Sequence, residues 1–155
     1  MAKNIFNNGV QTNQFTTLPC TFKQISVDEM VYLPKNYPDI GEIKNTDVTC
    51  SIDKQTVITT PVGTSLEGQT LTGYKLIING TLNFRVNYEP ECPCNSYCDC
   101  FKFKIPFTTF LILPENGMYS KKLPLRDLIE YNGIEKCSDR SMYANVTLML
   151  IADIC

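Results

Sequence analysis

The chain has 155 residues, 43% of them hydrophobic and 19% charged, with a formal net charge of −2 and a pI near 5.1. That length suffices for one domain with a full core, and the composition excludes a disordered chain. Both signs of charge are scattered without a run of either, so no nucleic-acid partner is expected.

There is no histidine and no tryptophan. The commonest general base and the commonest zinc ligand are therefore missing, and a Ser-His-Asp or Cys-His mechanism within one chain is ruled out. No catalytic residue is expected, and the chain is read as a non-enzyme. The neighbours Asp28 and Glu29, and Glu89 and Glu91, are the acid–base chemistry left open, and they read as solvated surface.

Residues 1–20 are polar, rich in asparagine and threonine, and without period. They read as an N-terminal arm or connector: either a frayed end or an arm that pairs with a neighbouring subunit's sheet edge. Met1 to Asn8 carries no apolar core of signal-peptide length. The longest apolar run, around Leu148 to Ala152, is too short to cross a bilayer, so no membrane partner is expected.

From Thr21 to Leu33 the sequence predicts a strand ended by Pro34, with a turn region to Pro38. A short strand follows over Ile40 to Asn45. Val48, Cys50 and Ile52 alternate with Thr49 and Ser51, which puts the Cys50 thiol on an apolar face as a small buried hydrophobe. Thr56 to Thr60 is β-branched and stops at Pro61. Gly63 to Gly73 reads as a loop. Tyr74 to Ile78 starts the next strand, or forms a separate one broken near Asn79-Gly80.

Leu82, Phe84, Val86 and Tyr88 then alternate with polar residues, as do Phe101, Phe103 and Ile105 with Lys102 and Lys104. This period of two predicts a β-hairpin. Its tip runs from Pro90 to Cys100, with four cysteines and two prolines that cannot continue a ladder. Pro106 to Pro114 is an apolar run bounded by prolines, which suit a strand's ends. Leu123 to Tyr131 fits a helix and a strand equally well. Ser138 to Ser141 is a turn. The closing strand places Ala144, Val146, Leu148 and Leu150 on one face, and Met149 and Ile151 make its far end apolar on both faces, as suits a central strand or an interface. Residues 21–155 are thus expected to form a single β-sandwich, jelly-roll-like or Ig-like, with little helix.

Thr72-Gly73-Tyr74-Lys75-Leu76-Ile77-Ile78-Asn79-Gly80-Thr81-Leu82 resembles the G-x-K-L-x-V-x-G-x-L strand of the SPOCS domain, a family of sporulation and spore-envelope proteins of clostridia and bacilli. Val86-Asn87-Tyr88 is similar to that family's next element. Ile105 to Pro114 resembles its V-P-F-S-x-F-I-x-L-P segment, and the Asp139-Arg140 turn with the strand to Ile154 also looks similar. The resemblance covers roughly residues 40–154. It implies a mainly β fold and a role in assembling spore layers rather than in catalysis, with other spore-envelope proteins as partners. It carries no site residues over, and the cysteine-rich tip departs from the family's usual hairpin.

Eight cysteines are unusual in a chain expected to be made in a reducing cytosol. Cys92, Cys94, Cys98 and Cys100 offer four thiolates for zinc, but as two C-x-C pairs rather than C-x2-C. The expectation is no cofactor, with zinc as the alternative. Disulfides are the first reading. Cys20 follows the arm, Cys137 adjoins a turn and Cys155 closes the sequence, so these three and the four tip cysteines are candidates within or between chains. A bridge within a chain typically adds ~2–4 kcal/mol. Eight cysteines allow on the order of a hundred complete pairings, so the partners are not readable. The resemblance implies synthesis in the mother-cell cytosol without a signal peptide and oxidation at the spore surface after lysis. The expected function is a self-assembling structural subunit of a spore-surface layer or fibre, partnered by copies of itself. The alternative is an adaptor that binds another coat protein and holds zinc at the hairpin tip.

Overall fold

Alternation of apolar and polar side chains from Thr21 onward produces strands, and among the described residues there is no helix. The computed structural model describes residues 21–92, 99–115, 117, 119 and 122–154. Within them lie β1 (Thr21–Tyr32), β2 (Ile40–Thr64), β3 (Thr70–Pro90), β4 (Asp99–Ile112), β5 (Leu125–Ser138) and β6 (Ser141–Ala152). All pairings are antiparallel. Sheet A has the order β1-β6-β5 and sheet B the order β2-β3-β4. The two stack as a sandwich, with β5 packed against β2 and β1 against β4.

The central strands carry the core. On β3, Leu76, Ile78, Leu82, Val86 and Tyr88 are fully buried, and on β6 so are Met142, Ala144, Val146, Leu148 and Leu150. Each large aliphatic side chain removed from water contributes roughly 1.5–3 kcal/mol. The double-sided apolar end of the closing strand has its explanation here: β6 is the centre of sheet A. Met149 and Ile151 are buried although they lie on its outer side.

Three local expectations need correction. The short strands around 40–45, 48–52 and 56–60 are one 25-residue strand, whose pairing with β3 slips at four bulges. Each bulge resets which side chains face inward, so the sequence shows broken periods where the backbone is continuous. The expected 63–73 loop is only a turn, closed by Gly68 N–H donating to Ser65 O and Ser65 N–H donating to Gln69 O. Of the two readings for Tyr74 to Ile78 the first holds: this stretch belongs to β3, and Asn79-Gly80 does not break the strand. A Cβ on Gly80 would lie 2.4 Å from Phe107 Cζ, so this glycine makes room for a ring on the neighbouring strand. Pro106 sits inside β4 opposite Thr81, which an edge strand tolerates. The ambiguous 123–131 stretch is the start of β5.

Candidate functional site

Three connections meet at one end of the sandwich: β1 to β2 (33–39), the start of β3 to β4 (91–92) and the β5–β6 turn (139–140). The described parts of the three are stitched together by backbone bonds. Leu33 N–H donates to Arg140 O at 2.8 Å, Ile40 N–H to Asp139 O at 2.8 Å, and Glu91 N–H to Asp39 O at 3.0 Å.

Arg140 clamps this end. Its guanidinium donates to Pro34 O at 2.6 Å, Leu33 O at 3.3 Å and Asp39 Oδ1 at 2.9 Å, and also to Tyr37 O. One planar fork thus satisfies three carbonyls of a connection that has no ladder of its own. Beneath it lies a second apolar cluster of Leu33, Ile40, Val86, Tyr88, Phe101 and Met142. Tyr37 packs edge-on against Phe101, ring centroids 5.0 Å apart. The Tyr88 hydroxyl donates to Pro38 O at 2.9 Å. Burial, and then Asp99, push its phenol up to about 12.

Three free thiols are mounted on this frame. Cys92 is exposed just past the end of β3. Cys100, the second residue of β4, is half-exposed opposite Asn87. Cys137 is exposed near the end of β5, its thiol donating to Glu135 O at 3.8 Å. The fold therefore brings Cys137 to the same end as the hairpin cysteines, although 37 residues separate it from Cys100.

Cys50 stands apart. It lies mid-strand on the inner side of β2 and packs against the main core. It is half-buried rather than fully buried, because β2 is an edge strand. Desolvation, helped by Asp127 and Asp53, pushes its thiol up to about 12. A thiol held in that state supplies almost no thiolate near neutral pH and is chemically inert there.

Of the remaining candidates, Cys20, Cys94, Cys98 and Cys155 lie outside the described residues. Only Cys92 and Cys100 of the four possible zinc ligands are described. Asp39, Glu91 and Asp139 bring carboxylate oxygens within 4.8 Å of one another beside the thiols. Two of the three meet cations instead of needing an ion: Asp39 pairs with Arg140 and Asp139 with Lys136, both at 2.9 Å. The Lys136 hydrogen bond holds the Asp139 carboxyl below its ordinary value.

Sequence reasoning overlooked the part played by Arg140 and Tyr88. The signal for Arg140 was its place in the Asp139-Arg140 turn. The signal for Tyr88 was a hydroxyl at an inward position of β3, where a buried polar group needs a partner.

The architecture defines an all-β sandwich with a clamped, thiol-bearing end. The family model described as SipL, SPOCS domain matches residues 39–122, more than half of the chain. The chain belongs to that family and is a sporulation-associated protein. The match takes in β2, β3 and β4 and stops before β5, so it does not reach the Asp139-Arg140 turn or the closing strand. Comparison with curated proteins and with solved structures gave no match. No helix among the described residues is long and apolar enough to cross a membrane.

Proposed function

We propose that the protein is a non-catalytic structural subunit that self-assembles into a spore-surface layer or fibre and is fixed there by disulfides. The carrying observation is the gathering of Cys92, Cys100 and Cys137 on a braced end of the sandwich, outside the core. Strand ends position these thiols where another chain can reach them, while the fourth described thiol, Cys50, is packed half-buried against the core and kept protonated. Membership of a sporulation family supports the setting. A protein made in a reducing compartment and later exposed to oxidant needs free thiols first and bonds afterwards.

The test is electrophoresis of native material with and without reductant, with the same preparation viewed by electron microscopy. The expected result is a ladder or aggregate that collapses to monomer on reduction, and ordered assemblies in the micrographs. Cys92→Ser with Cys137→Ser shortens the ladder. Monomer in both lanes overturns the covalent part. Near-stoichiometric zinc, with thiols released only by a chelator, favours the zinc-holding adaptor instead.

A further inference from the structure

The two outer faces of the sandwich carry clusters of opposite charge, a basic one on the β3–β4 side of sheet B and an acidic one on sheet A. On sheet B, alternation and register turn Arg85, Lys102 and Lys104 outward in adjacent rows: Arg85 opposite Lys102, and Asn83 opposite Lys104. All three cations are exposed. Among the described residues none of them is in a salt bridge, and Asp47, opposite Arg85, closes none. Beside them runs a ladder in which Asn83 donates to Ser51, Thr108 to Asn79 and Thr81 to Asp53 Oδ2, so the β3–β4 side of the face is basic while the β2 side also carries Asp47 and Asp53.

On sheet A the outward charges are Asp28, Glu130 and Glu135. Arg126, the cation of that face among the described residues, is bonded to Asp153 at 2.6 Å. The same face exposes Phe22, Met30 and Tyr131. Acidic groups interspersed with large apolar side chains make a surface suited to association rather than to bare solvation.

We infer that the basic outer face of sheet B of one copy docks on the acidic, partly apolar outer face of sheet A of the next. This rests on the self-assembly reading and gives it a direction. The occupant is a second copy because the complementary charge is on the opposite side of the same molecule. Two different surfaces meet, so the contact is heterologous and propagates as an open stack or a ring. Stacking orders the subunits, and the end thiols are left free to cross-link them afterwards.

Sedimentation velocity in the presence of reductant tests the contact without disulfides. Screening lengths are ~30 Å at ~0.01 M salt and ~3 Å at ~1 M, so association is expected at the low concentration and at least tenfold weaker at the high one. Two triple variants sharpen it: Arg85→Glu with Lys102→Glu and Lys104→Glu, and Asp28→Lys with Glu130→Lys and Glu135→Lys. Each alone is expected to stay monomeric at low salt, since both of its faces then have one sign. Mixed, the two are expected to co-assemble. Circular dichroism and melting temperature confirm that the variants are folded.

Association unchanged by either reversal, a mixture that stays monomeric, or indifference to salt overturns the inference. Wild-type protein that stays monomeric under reductant yet forms disulfide multimers on oxidation sinks the stacking and leaves the covalent assembly standing. Salt-sensitive stacking with no disulfide multimers does the reverse.

Discussion

The sheet of β2, β3 and β4 and the sheet of β1, β5 and β6 each place a buried apolar strand at the centre, β3 in one and β6 in the other. Their inner faces are alike because both must exclude water from one shared core. Their outer faces have no such constraint and diverge. One is a ladder of Asn, Ser and Thr that holds Asp53 and carries three cations outside any salt bridge among the described residues, the other an acidic surface broken by Phe22, Met30 and Tyr131. Only the first sheet falls within the family match. Alone it would leave Leu76, Ile78, Leu82 and Phe84 facing water, so β1, β5 and β6 complete a core that the matched segment begins.

The edges differ in the same direction. β2 slips register with β3 at four places and β5 slips with β6 at two, whereas β1 and β4 run in unbroken register with their partners. Bulged edges resist pairing with another chain, and regular ones do not. One flank of the sandwich is therefore blunted by bulges, and the other runs in regular register with Pro106, Lys102 and Lys104 on its β4 edge.

A matched pair of glycine substitutions separates the sheets most strongly. A Cβ at Gly80, in sheet B, meets the Phe107 ring at 2.4 Å and Ser51 O at 2.9 Å, backbone and packed ring alike. Gly80→Ala is expected to cost about 1–3 kcal/mol through overpacking. At Gly133, in sheet A, the first obstacle is the Tyr131 hydroxyl at 2.7 Å, the far end of an exposed side chain that can swing away. Gly133→Ala is expected to stay within about 0.5 kcal/mol of wild type. Chemical denaturation measures both, and equal losses would break the distinction.

The next effect belongs to the clamp that joins the sheets. Arg140→Ala removes the fork shared by Tyr37, Asp39, Leu33 and Pro34 and is expected to cost about 1–2 kcal/mol. Arg140→Lys is expected to recover only part of it, because one ammonium cannot span the same acceptors. Hydrogen exchange is expected to quicken at Leu33 and Ile40 and to leave the 65–69 turn unchanged. Uniform quickening would argue against a local clamp.

The smallest effect at neutral pH, and one confined to sheet B, is alkaline. Folding raises Cys50 from an ordinary 9.0 and Tyr88 from 10.0, each up to about 12, with burial the first cause. Both groups hold their protons more tightly folded than unfolded. Stability is therefore intact below pH 9 and is lost as pH rises through about 12. Melting temperature followed from pH 7 upward is expected to fall above pH 9, and Cys50→Ala with Tyr88→Phe to flatten that decline. An unchanged slope in the double variant would remove both groups from the account.

Much of the fold was legible because a strand states its two faces every second residue. The hairpin of β3 and β4, the sandwich class and the core positions of β6 all follow from that period. It failed in β2, where bulges shift the phase, and at 123–131, where a short apolar run fits two periods equally. Gly80 left two readings open for another reason. A glycine in sequence looks like a turn, and only the facing ring of Phe107 shows it to be a gap kept open for packing.

The sequence by itself determined that this is an all-β protein with a cysteine-dense hairpin tip and no histidine chemistry, since local alternation and composition need no partner to be read. The tertiary structure alone decided that Cys137 joins Cys92 and Cys100 at one end, that Arg140 braces the 33–39 connection at that end, and that Arg85, Lys102 and Lys104 share one outer face while Asp28, Glu130 and Glu135 share the other. Each of those facts depends on residues far apart in sequence. Strand order and register, which bring them together, are fixed by how the two apolar faces close on one another.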